Sequence, residues 1–217
     1  MADVSDDRAQ GESRSLRLGR RVIDDALDRV RRYAGLPWSG GAPEVWAFGY
    51  YDAIVTTHDS NITPTDVVCT ASLHPGLSRA DLEFFARRRT DLARWLDQVP
   101  ADLVLCDADG EMLAHLDALG QFEPDVALTL LTKVLHRKRP RFVPLLDRHV
   151  IDWYRQPGDP RRINEAWPLV VRRLRRDLEV PETTLQLGKY CALISTAAGE
   201  HLSAVRFVDI AIWMEGR

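Results

Sequence analysis

The sequence predicts an all-α protein that folds as a single compact domain of many helices. Hydrophobic residues make up 45% of the 217 residues and charged residues 28%, which is the balance of an ordinary globular chain. Apolar residues recur at spacings of three and four along most of the chain, whereas the strict alternation of a half-buried strand is scarce. The connections between these periodic segments are short, which argues against two separable domains.

The chain is expected to begin with a flexible acidic tail over residues 1–14 and to fold over residues 15–217. The tail has no apolar periodicity, and its polar composition is typical of chain ends that do not pack. The first helix is expected over residues 16–33, where apolar and charged side chains fall on opposite faces. Gly35 is expected to end that helix, since glycine readily adopts the left-handed backbone of a helix end.

Residues 38–62 interrupt the helical pattern, because they are rich in glycine and aromatic side chains. Within this segment, residues 45–55 are consistent with either a short β segment or an ordered loop. Trp38 and Trp46 lie here, outside any apolar helical stripe. They are therefore candidates to line a pocket.

Two capping signals mark the helices that follow. Thr63 is followed by Pro64 at the first helical position, and Asp66 stands three residues after the threonine. Ser78 and Asp81 repeat the same spacing ahead of a long amphipathic pattern. A helix is expected to begin at each of these two points.

A helix near residues 112–116 precedes the widest apolar face in the sequence, residues 126–135. Such a face predicts a central, mostly buried helix, with Asp125 as its N-cap. This helix is expected to end near Lys138, because Pro140 disfavours helical geometry at the residue before it.

The last third of the chain predicts four more helices. Asp147 occupies the N-cap position of the first of them. An apolar stripe over residues 163–174 predicts the second, with a kink or an early break at Pro168. The final two are expected at about residues 182–197 and 202–214.

The segment around the end of the central helix is the strongest candidate for a functional site. A positive environment beside a helix N-terminus can hold an anion or stabilise a developing negative charge. Asp147 is the candidate catalytic carboxylate at that N-terminus, and His136 and His149, which flank the segment, are further pocket candidates. The predicted anion-binding or nucleic-acid-binding cations are Lys133, Arg137, Lys138, Arg139 and Arg141.

Three ordered segments resemble the signature of an uncharacterised family of actinobacterial proteins, a domain of unknown function. They are residues 135–147, which hold an Arg-Lys-Arg-Pro turn and a Pro-x-x-Asp step, residues 62–68, and residues 207–214, which close with Trp-Met. The resemblance covers roughly residues 50–217. That family has no established activity, so the resemblance implies none for this chain.

The step from Asp147 to Val150 also resembles, more distantly, the Asp-x-x-Val step of helix-hairpin-helix DNA glycosylases. That resemblance implies a glycosylase-like helical architecture, a flipped base in a pocket and a carboxylate that stabilises positive charge on the sugar. The hairpin glycines of those enzymes would fall near Asp125 and Ala127 here, and their nucleophilic lysine near Thr129. The resemblance therefore implies a monofunctional enzyme, with Asp147 as its electrostatic centre.

Three functions fit these features. The leading hypothesis is a nucleic-acid-associated protein, an N-glycosylase-like protein on DNA that holds phosphates with residues 133–141 and presents Asp147 to a sugar. The second is a non-catalytic interaction protein whose basic residues pair with acidic residues or with a partner. The third is an enzyme that acts on a small anionic metabolite in a pocket on the same scaffold.

Other classes of function have little support in the sequence. No stretch approaches the roughly 20 apolar residues that cross a bilayer, and the N-terminus has no apolar signal segment, so no membrane association and a cytoplasmic location are expected. Cys69, Cys106 and Cys191 lie in apolar stretches and are expected to be free thiols in a reducing compartment. The spacing of potential ligands predicts no metal site, and no cofactor motif is present. The oligomeric state is not predicted.

Overall fold

A computed structural model describes residues 14–44, 46–122, 126–199 and 201–217 of the chain. Within these ranges the protein is mostly helical, with ten α-helices, three short 3-10 turns and one two-stranded antiparallel sheet. The predicted all-α fold is confirmed. The predicted acidic tail, apart from Arg14, lies outside the described residues, and so do Asp125 and Val45.

The elements follow one another closely along the chain. In order, they are β1 (Leu16–Leu18), β2 (Arg21–Ile23), α1 (Ala26–Tyr33), α2 (Phe48–Tyr51), α3 (Pro64–Val68), α4 (Arg79–Asp97), α5 (Gly110–Asp117), α6 (Leu128–Lys138), α7 (Arg148–Tyr154), α8 (Ile163–Leu178), α9 (Pro181–Ala198) and α10 (Ala204–Glu215).

The helix predicted over residues 16–33 is only half right, because a β-hairpin takes its first eight residues. Leu16 pairs with Ile23 across the hairpin, and both side chains are fully buried. Gly19 turns the chain with φ +60°, a backbone conformation that favours glycine. Helix α1 begins only at Ala26. Three-residue strands are too short to leave a periodic signal in the sequence.

The β segment considered for residues 45–55 is also wrong for the described part of that range. Phe48 to Tyr51 form the single helical turn α2. Both end residues are buried on the same side, and Phe48 meets Tyr33 edge-on with ring centroids 6.2 Å apart. The turn brings the following Asp52 towards α10.

The caps predicted at Thr63 and Ser78 are confirmed. Thr63 with Asp66, and Ser78 with Asp81, form capping boxes in which each side chain bonds the backbone of the other residue. Helix α8 runs without a break through Pro168, so the early break predicted there is wrong. That proline lies in the second turn of the helix, where a single carbonyl loses its intrahelical donor.

Two helices form the centre of the core. Helix α6 is buried along its length except at Thr129, as the sequence predicted, but its N-cap is Ala127, without a side-chain cap. Helix α10 is buried from Val205 to Ile212 and packs on α1. Each apolar side chain that these helices bury contributes about 1.5–3 kcal/mol. Cys69 and Cys191 are buried free thiols, and Cys106 is half-buried.

None of the helices in the described ranges has the length and apolar character needed to cross a bilayer.

Candidate functional site

A cavity of about 340 Å³ lies beside the start of α7. Its walls come from α1, α6 and α10, together with residues that precede α2 and α7. This volume falls near the lower end of the range for small-molecule sites, which are concave and mostly apolar with a few polar groups. We call it the Asp147 cavity, and its lining includes Tyr33, Trp46, Lys133, Asp147, Arg206, Asp209 and Trp213.

Asp147 is both the N-cap of α7 and part of the cavity wall. Its Oδ1 accepts a hydrogen bond of 2.9 Å from the backbone N–H of Val150. Such a cap stabilises a helix by about 1 kcal/mol. The side chain is half-buried, so one carboxylate serves the helix and also borders the enclosed space. The cap is confirmed, and the catalytic role of Asp147 stays a prediction.

Lys133 reaches the same cavity from α6, although only 6% of its surface is exposed. Among the residues that the structure describes, its amine has neither a hydrogen-bond acceptor nor a carboxylate within ion-pair distance. Burial lowers the pKa of Lys133, and the positive charge of Arg206 acts in the same direction. The carboxylates of Asp147 and Asp209 act to raise this pKa, but the net shift is downward. A buried amine without a partner is unfavourable in its charged form.

Arg206 forms the buried ionic centre of the site. Its guanidinium binds both carboxylate oxygens of Asp52, at 2.6 and 2.7 Å, and also the carboxylate of Asp209. Its Nη2 donates to the Tyr33 hydroxyl at 2.8 Å. Burial alone would lower the pKa of Arg206, but Asp52, Tyr33 and Asp209 hold it well above its usual value. Arg206 is therefore a permanent cation whose charge is already balanced.

Asp209 differs from an ordinary surface carboxylate. Burial raises its pKa to about 7, and the negative charges of Asp147 and Asp52 act in the same direction, while Arg206 and Lys133 oppose the shift. Three carboxylates (Asp52, Asp147 and Asp209) and two cations (Arg206 and Lys133) thus lie close enough to influence one another. Asp209 can give or take a proton near neutral pH.

The predicted phosphate-binding cations Arg137 and Lys138 do not lie on a surface. Arg137 is buried and donates to the backbone carbonyls of Tyr51 and Ile54, at 2.5 and 3.0 Å. Lys138 is fully buried, with its Nζ 2.9 Å from a carboxylate oxygen of Asp66. Their placement does not agree with the predicted phosphate contact. It matches the ion pairing with acidic neighbours that the second hypothesis describes.

Arg139 is also directed inward. It donates to the carbonyls of Leu96, Val99 and His58, at 2.8, 2.8 and 2.6 Å. Arginines that bond several carbonyls in this way fix the path of loops that contain no regular structure. Of the five predicted cations, only Arg141 is exposed, and Lys133 faces the cavity. The five predicted cations therefore do not form one surface: three are buried among protein partners, one faces the cavity and one is exposed.

The pocket candidate His136 borders a second cavity, of about 230 Å³, which also touches Arg206. We call it the His136 cavity. The ring is buried and stacked near Tyr51, and its Nδ1 lies 2.7 Å from the carbonyl oxygen of Val143. Burial lowers the pKa of His136 to about 4, with Arg206 acting in the same direction. His136 is therefore neutral and lies next to the Asp147 cavity rather than in it.

The other pocket candidates are separated in the same way. Trp46 lines the Asp147 cavity, where its indole meets Trp213 edge-on with centroids 5.3 Å apart. Trp38 lies elsewhere and donates its Nε1–H to the carbonyl of Ala42 at 3.0 Å. His149 is exposed and approaches the outer side of Trp213 at 6.5 Å. Of these three residues, Trp46 lines the Asp147 cavity, and Trp38 and His149 do not.

A family model described as "Family of unknown function (DUF6308)" matches residues 26–216. The chain belongs to this family. No curated protein and no solved structure matches the chain. The membership agrees with the resemblance to an uncharacterised domain, and it assigns no activity. The helix-hairpin-helix likeness has no independent support here and stays a hypothesis.

Three important residues of this DUF6308 site, Arg206, Asp209 and Trp213, are not among the site residues that the sequence predicts. The first two stand three residues apart on a helix whose other residues from Ala204 to Met214 are apolar. A charged residue in such a helix must be paired or functional, since burying an isolated charge is prohibitive. That signal was present in the sequence, but the partners of these residues lie far away along the chain.

Among the described residues of this DUF6308 protein, no three His, Cys, Asp or Glu side chains are grouped so that they could hold a metal ion. The Asp147 cavity presents several side chains that could take part in a reaction. These are two carboxylates with different environments, one unpaired amine and two indole rings.

Proposed function

We propose that this DUF6308 protein is an enzyme that acts on a small anionic molecule enclosed in the Asp147 cavity. Lys133 is the observation that carries the proposal. It is a buried residue whose side chain lines the cavity, and its amine has no partner among the described residues. The anionic group of a ligand would supply the missing partner.

The energetics favour a ligand over an empty site. A buried charge loses several kcal/mol of hydration, which only a close counter-charge or hydrogen bonds can offset. Arg206 meets this need with its own carboxylates, whereas Lys133 does not. The indoles of Trp46 and Trp213 supply the apolar surface against which the rest of a small molecule would pack.

The two cavity carboxylates suit an acid–base reaction. Asp209 is deeply buried with a pKa of about 7, while Asp147 is half-buried and accepts a backbone hydrogen bond. Enzymes separate the roles of paired carboxylates by giving them different environments in this way. We assign proton transfer to Asp209 and stabilisation of positive charge at the reacting carbon to Asp147.

Ligand-induced stabilisation tests the proposal. Thermal unfolding is measured with inorganic phosphate, pyruvate or adenosine monophosphate, and binding at 100 times the Kd is expected to add about 2.7 kcal/mol. Lys133→Met keeps the length of the side chain and removes the amine, so the stabilisation is expected to disappear. Lys189→Met, at an exposed position, is the matched control and is expected to keep it. Stabilisation that is absent with all three probes, or unchanged in Lys133→Met, contradicts the proposal.

A different surface favours nucleic-acid binding as a second candidate function. A groove lies between the β1–β2 turn, the end of α7 and α8. Among the described residues, Arg20, Arg21 and Arg176 have no ion pair, and the Arg21 guanidinium lies 5.0 Å from the Trp153 ring centre. Planar guanidinium groups are well suited to phosphate oxygens. The arginines that line this groove are Arg20, Arg21, Arg155, Arg173 and Arg176.

A gel-shift titration at two salt concentrations tests this second candidate. Each phosphate contact on duplex DNA adds about 0.9 to the slope of log affinity against log salt. Combining Arg20→Glu with Arg176→Glu is expected to weaken binding and reduce the slope, whereas Arg79→Glu, on the exposed side of α4, is expected to change it little. Equal effects of the two changes contradict a role for the groove. Base release by Asp147 belongs to this candidate, and Asp147→Asn would abolish it.

A further inference from the structure

The state of Lys133 points to a specific class of substrate, in an argument that rests on the proposed function. We propose that Lys133 is a nucleophile that forms an imine with a small aldehyde or ketone acid bound in the Asp147 cavity. The residue is 6% exposed, its side chain lines the cavity, and its amine has no partner among the described residues. Lysines in such environments are the ones that react with carbonyl compounds, because a desolvated amine more readily loses its proton.

The helix holds the backbone of Lys133 in a fixed place. The backbone carbonyl of Lys133 accepts a hydrogen bond of 2.6 Å from the Tyr51 hydroxyl, so the residue is tied to α2 as well as to α6. Tyr51 is itself almost fully buried. Only the side chain of Lys133 extends into the cavity. A nucleophile on a rigid, buried helix has the fixed orientation that covalent catalysis requires.

Lys138 shows what a purely structural lysine looks like in the same helix. Its amine is 2.9 Å from Asp66 and donates to the carbonyl of Thr57 at 3.1 Å. Those contacts keep the Lys138 amine occupied. Lys133 lies five residues earlier, is similarly buried and has no comparable contact among the described residues. The difference between these two lysines is chemical rather than one of burial.

The composition of the chain supports the same inference. Lysine accounts for only three of its 29 basic Lys and Arg residues, at positions 133, 138 and 189. Arginine therefore supplies positive charge almost everywhere in this protein, including the buried centre at Arg206. An arginine at position 133 would give a permanent cation, but it could not act as an amine nucleophile.

The cavity contains the groups that the reaction needs. The neutral amine of Lys133 attacks the carbonyl carbon, so a C–N bond forms and the C=O π bond breaks. A proton then moves from the attacking nitrogen to the oxygen, which becomes a hydroxyl group. A protonated Asp209 gives its proton to that hydroxyl, the C–O bond breaks and water leaves. The products are an iminium ion and the Asp209 carboxylate, and nothing is oxidised or reduced. Asp147 faces the new positive charge, and the acid group of the substrate balances it further.

Reductive trapping of the full chain tests the proposal. The protein is incubated with sodium cyanoborohydride and either glyoxylate or pyruvate, and the modified lysine is located by peptide mass spectrometry. Lys138 and the exposed Lys189 serve as internal references, since the chain has no other lysine. Labelling of Lys133 is expected to exceed that of Lys189 by more than about tenfold, because a reactant bound beside the amine has a high effective concentration. Equal labelling of Lys133 and Lys189 in the folded protein overturns the proposal.

Two substitutions separate this inference from the proposed function. Lys133→Arg keeps a cation and removes the nucleophile, whereas Lys133→Met removes both. We expect pyruvate still to stabilise the Lys133→Arg variant against unfolding. Its remaining lysines are expected to show only background labelling. Circular dichroism verifies that the variant is folded. If pyruvate stabilises the native protein through Lys133 but no label is trapped there, the imine is wrong and the anion site stands. If neither occurs, both proposals fail.

Discussion

Arg206 and Asp52 form a two-point ion pair, with the guanidinium Nε and Nη2 at 2.6 and 2.7 Å from the two carboxylate oxygens. The residues are 154 positions apart in the chain, and both side chains are almost fully buried. Arg206 borders the Asp147 cavity as well as the His136 cavity. A single ion pair therefore joins α10 to the end of α2 and separates the two spaces.

Removing this cation is expected to destabilise the protein severely. Arg206→Met would leave Asp52 and Asp209 buried with no guanidinium between them, and breaking a buried pair in this way costs about 3–5 kcal/mol. Urea unfolding monitored by circular dichroism measures the change in the free energy of unfolding. Arg79→Met is the control, because the Arg79–Glu83 pair is exposed and such pairs contribute at most about 1 kcal/mol. A loss at Arg206 no larger than that at Arg79 would show that the network contributes little.

Asp209 is expected to make stability depend on pH between its two pKa values. Its pKa rises from 3.8 to about 7 on folding, so the folded state holds the proton more tightly than the unfolded state. This contribution to stability is therefore complete below pH 3.8 and is lost as the pH rises to about 7, with a slope of up to about 1.4 kcal/mol per pH unit. Unfolding free energies of the native protein and of Asp209→Asn are compared at each pH.

The free energy of unfolding of Asp209→Asn must be subtracted from that of the native protein at each pH, because His136 changes stability with pH in the opposite direction. Its pKa falls from 6.5 to about 4 on folding, so its contribution is lost as the pH falls through that range. Subtracting the Asp209→Asn curve leaves the part due to Asp209, together with its coupling to Arg206. A difference that stays constant between pH 4 and pH 7 would mean that Asp209 keeps an ordinary pKa in the folded protein.

Asp66 is expected to make stability depend on pH in the direction opposite to Asp209, and at a more acid pH. Although its burial acts against ionisation, hydrogen bonds from Thr56, Thr63 and Lys138 lower its pKa from 3.8 to about 2. Its stabilising contribution is therefore present above pH 3.8 and is lost as the pH falls through about 2. Asp66→Asn is expected to remove that acid dependence. Because the buried Lys138 would then have only the exposed Asp59, at 3.4 Å, as a carboxylate partner, the change is expected to cost about 3–5 kcal/mol at neutral pH.

Asp81 provides a matched control for Asp66. Both carboxylates occupy the third helical position of a capping box, but Asp81 is only half-buried and does not contact a buried cation among the described residues. Asp81→Asn is expected to cost about 1 kcal/mol or less, as for the loss of a cap alone. Chemical unfolding of the two variants side by side gives the comparison. Similar losses would show that the pairing of Asp66 with Lys138 adds nothing to its cap.

The features that the sequence predicted correctly are those whose cause is local. The caps at Thr63, Ser78 and Asp147 each depend on a backbone N–H three residues away, and all three occur in the structure. The central position of α6 followed from its own apolar face. The hairpin around Gly19 was missed, because three-residue strands resemble the start of the helix that follows them.

The features that the sequence could not predict depend on residues far apart in the chain. Arg139 was expected at a surface, yet its three carbonyl acceptors Leu96, Val99 and His58 lie 40 or more positions away. A basic residue next to a proline has the same local sequence whether it meets solvent or a distant carbonyl. The burial of Arg139 therefore depends on where α4 and the loop around His58 pack, which its own local sequence does not determine.

Lys133 gives a last prediction, which concerns the protein without any ligand. Its amine is buried and unpartnered within the described residues, and an unsatisfied buried polar group costs about 1–3 kcal/mol. Methionine has a similar length and no charge, so Lys133→Met is expected to raise the free energy of unfolding by about that amount. Most substitutions at buried positions are destabilising, and a gain here would be the sign of a residue kept for function at the expense of stability. Lys138→Met is the control. It is expected to be destabilising because it removes the cation closest to the buried carboxylate of Asp66. If Lys133→Met also destabilises the protein, the amine has a structural partner and the cavity has no unmet charge for a ligand to balance.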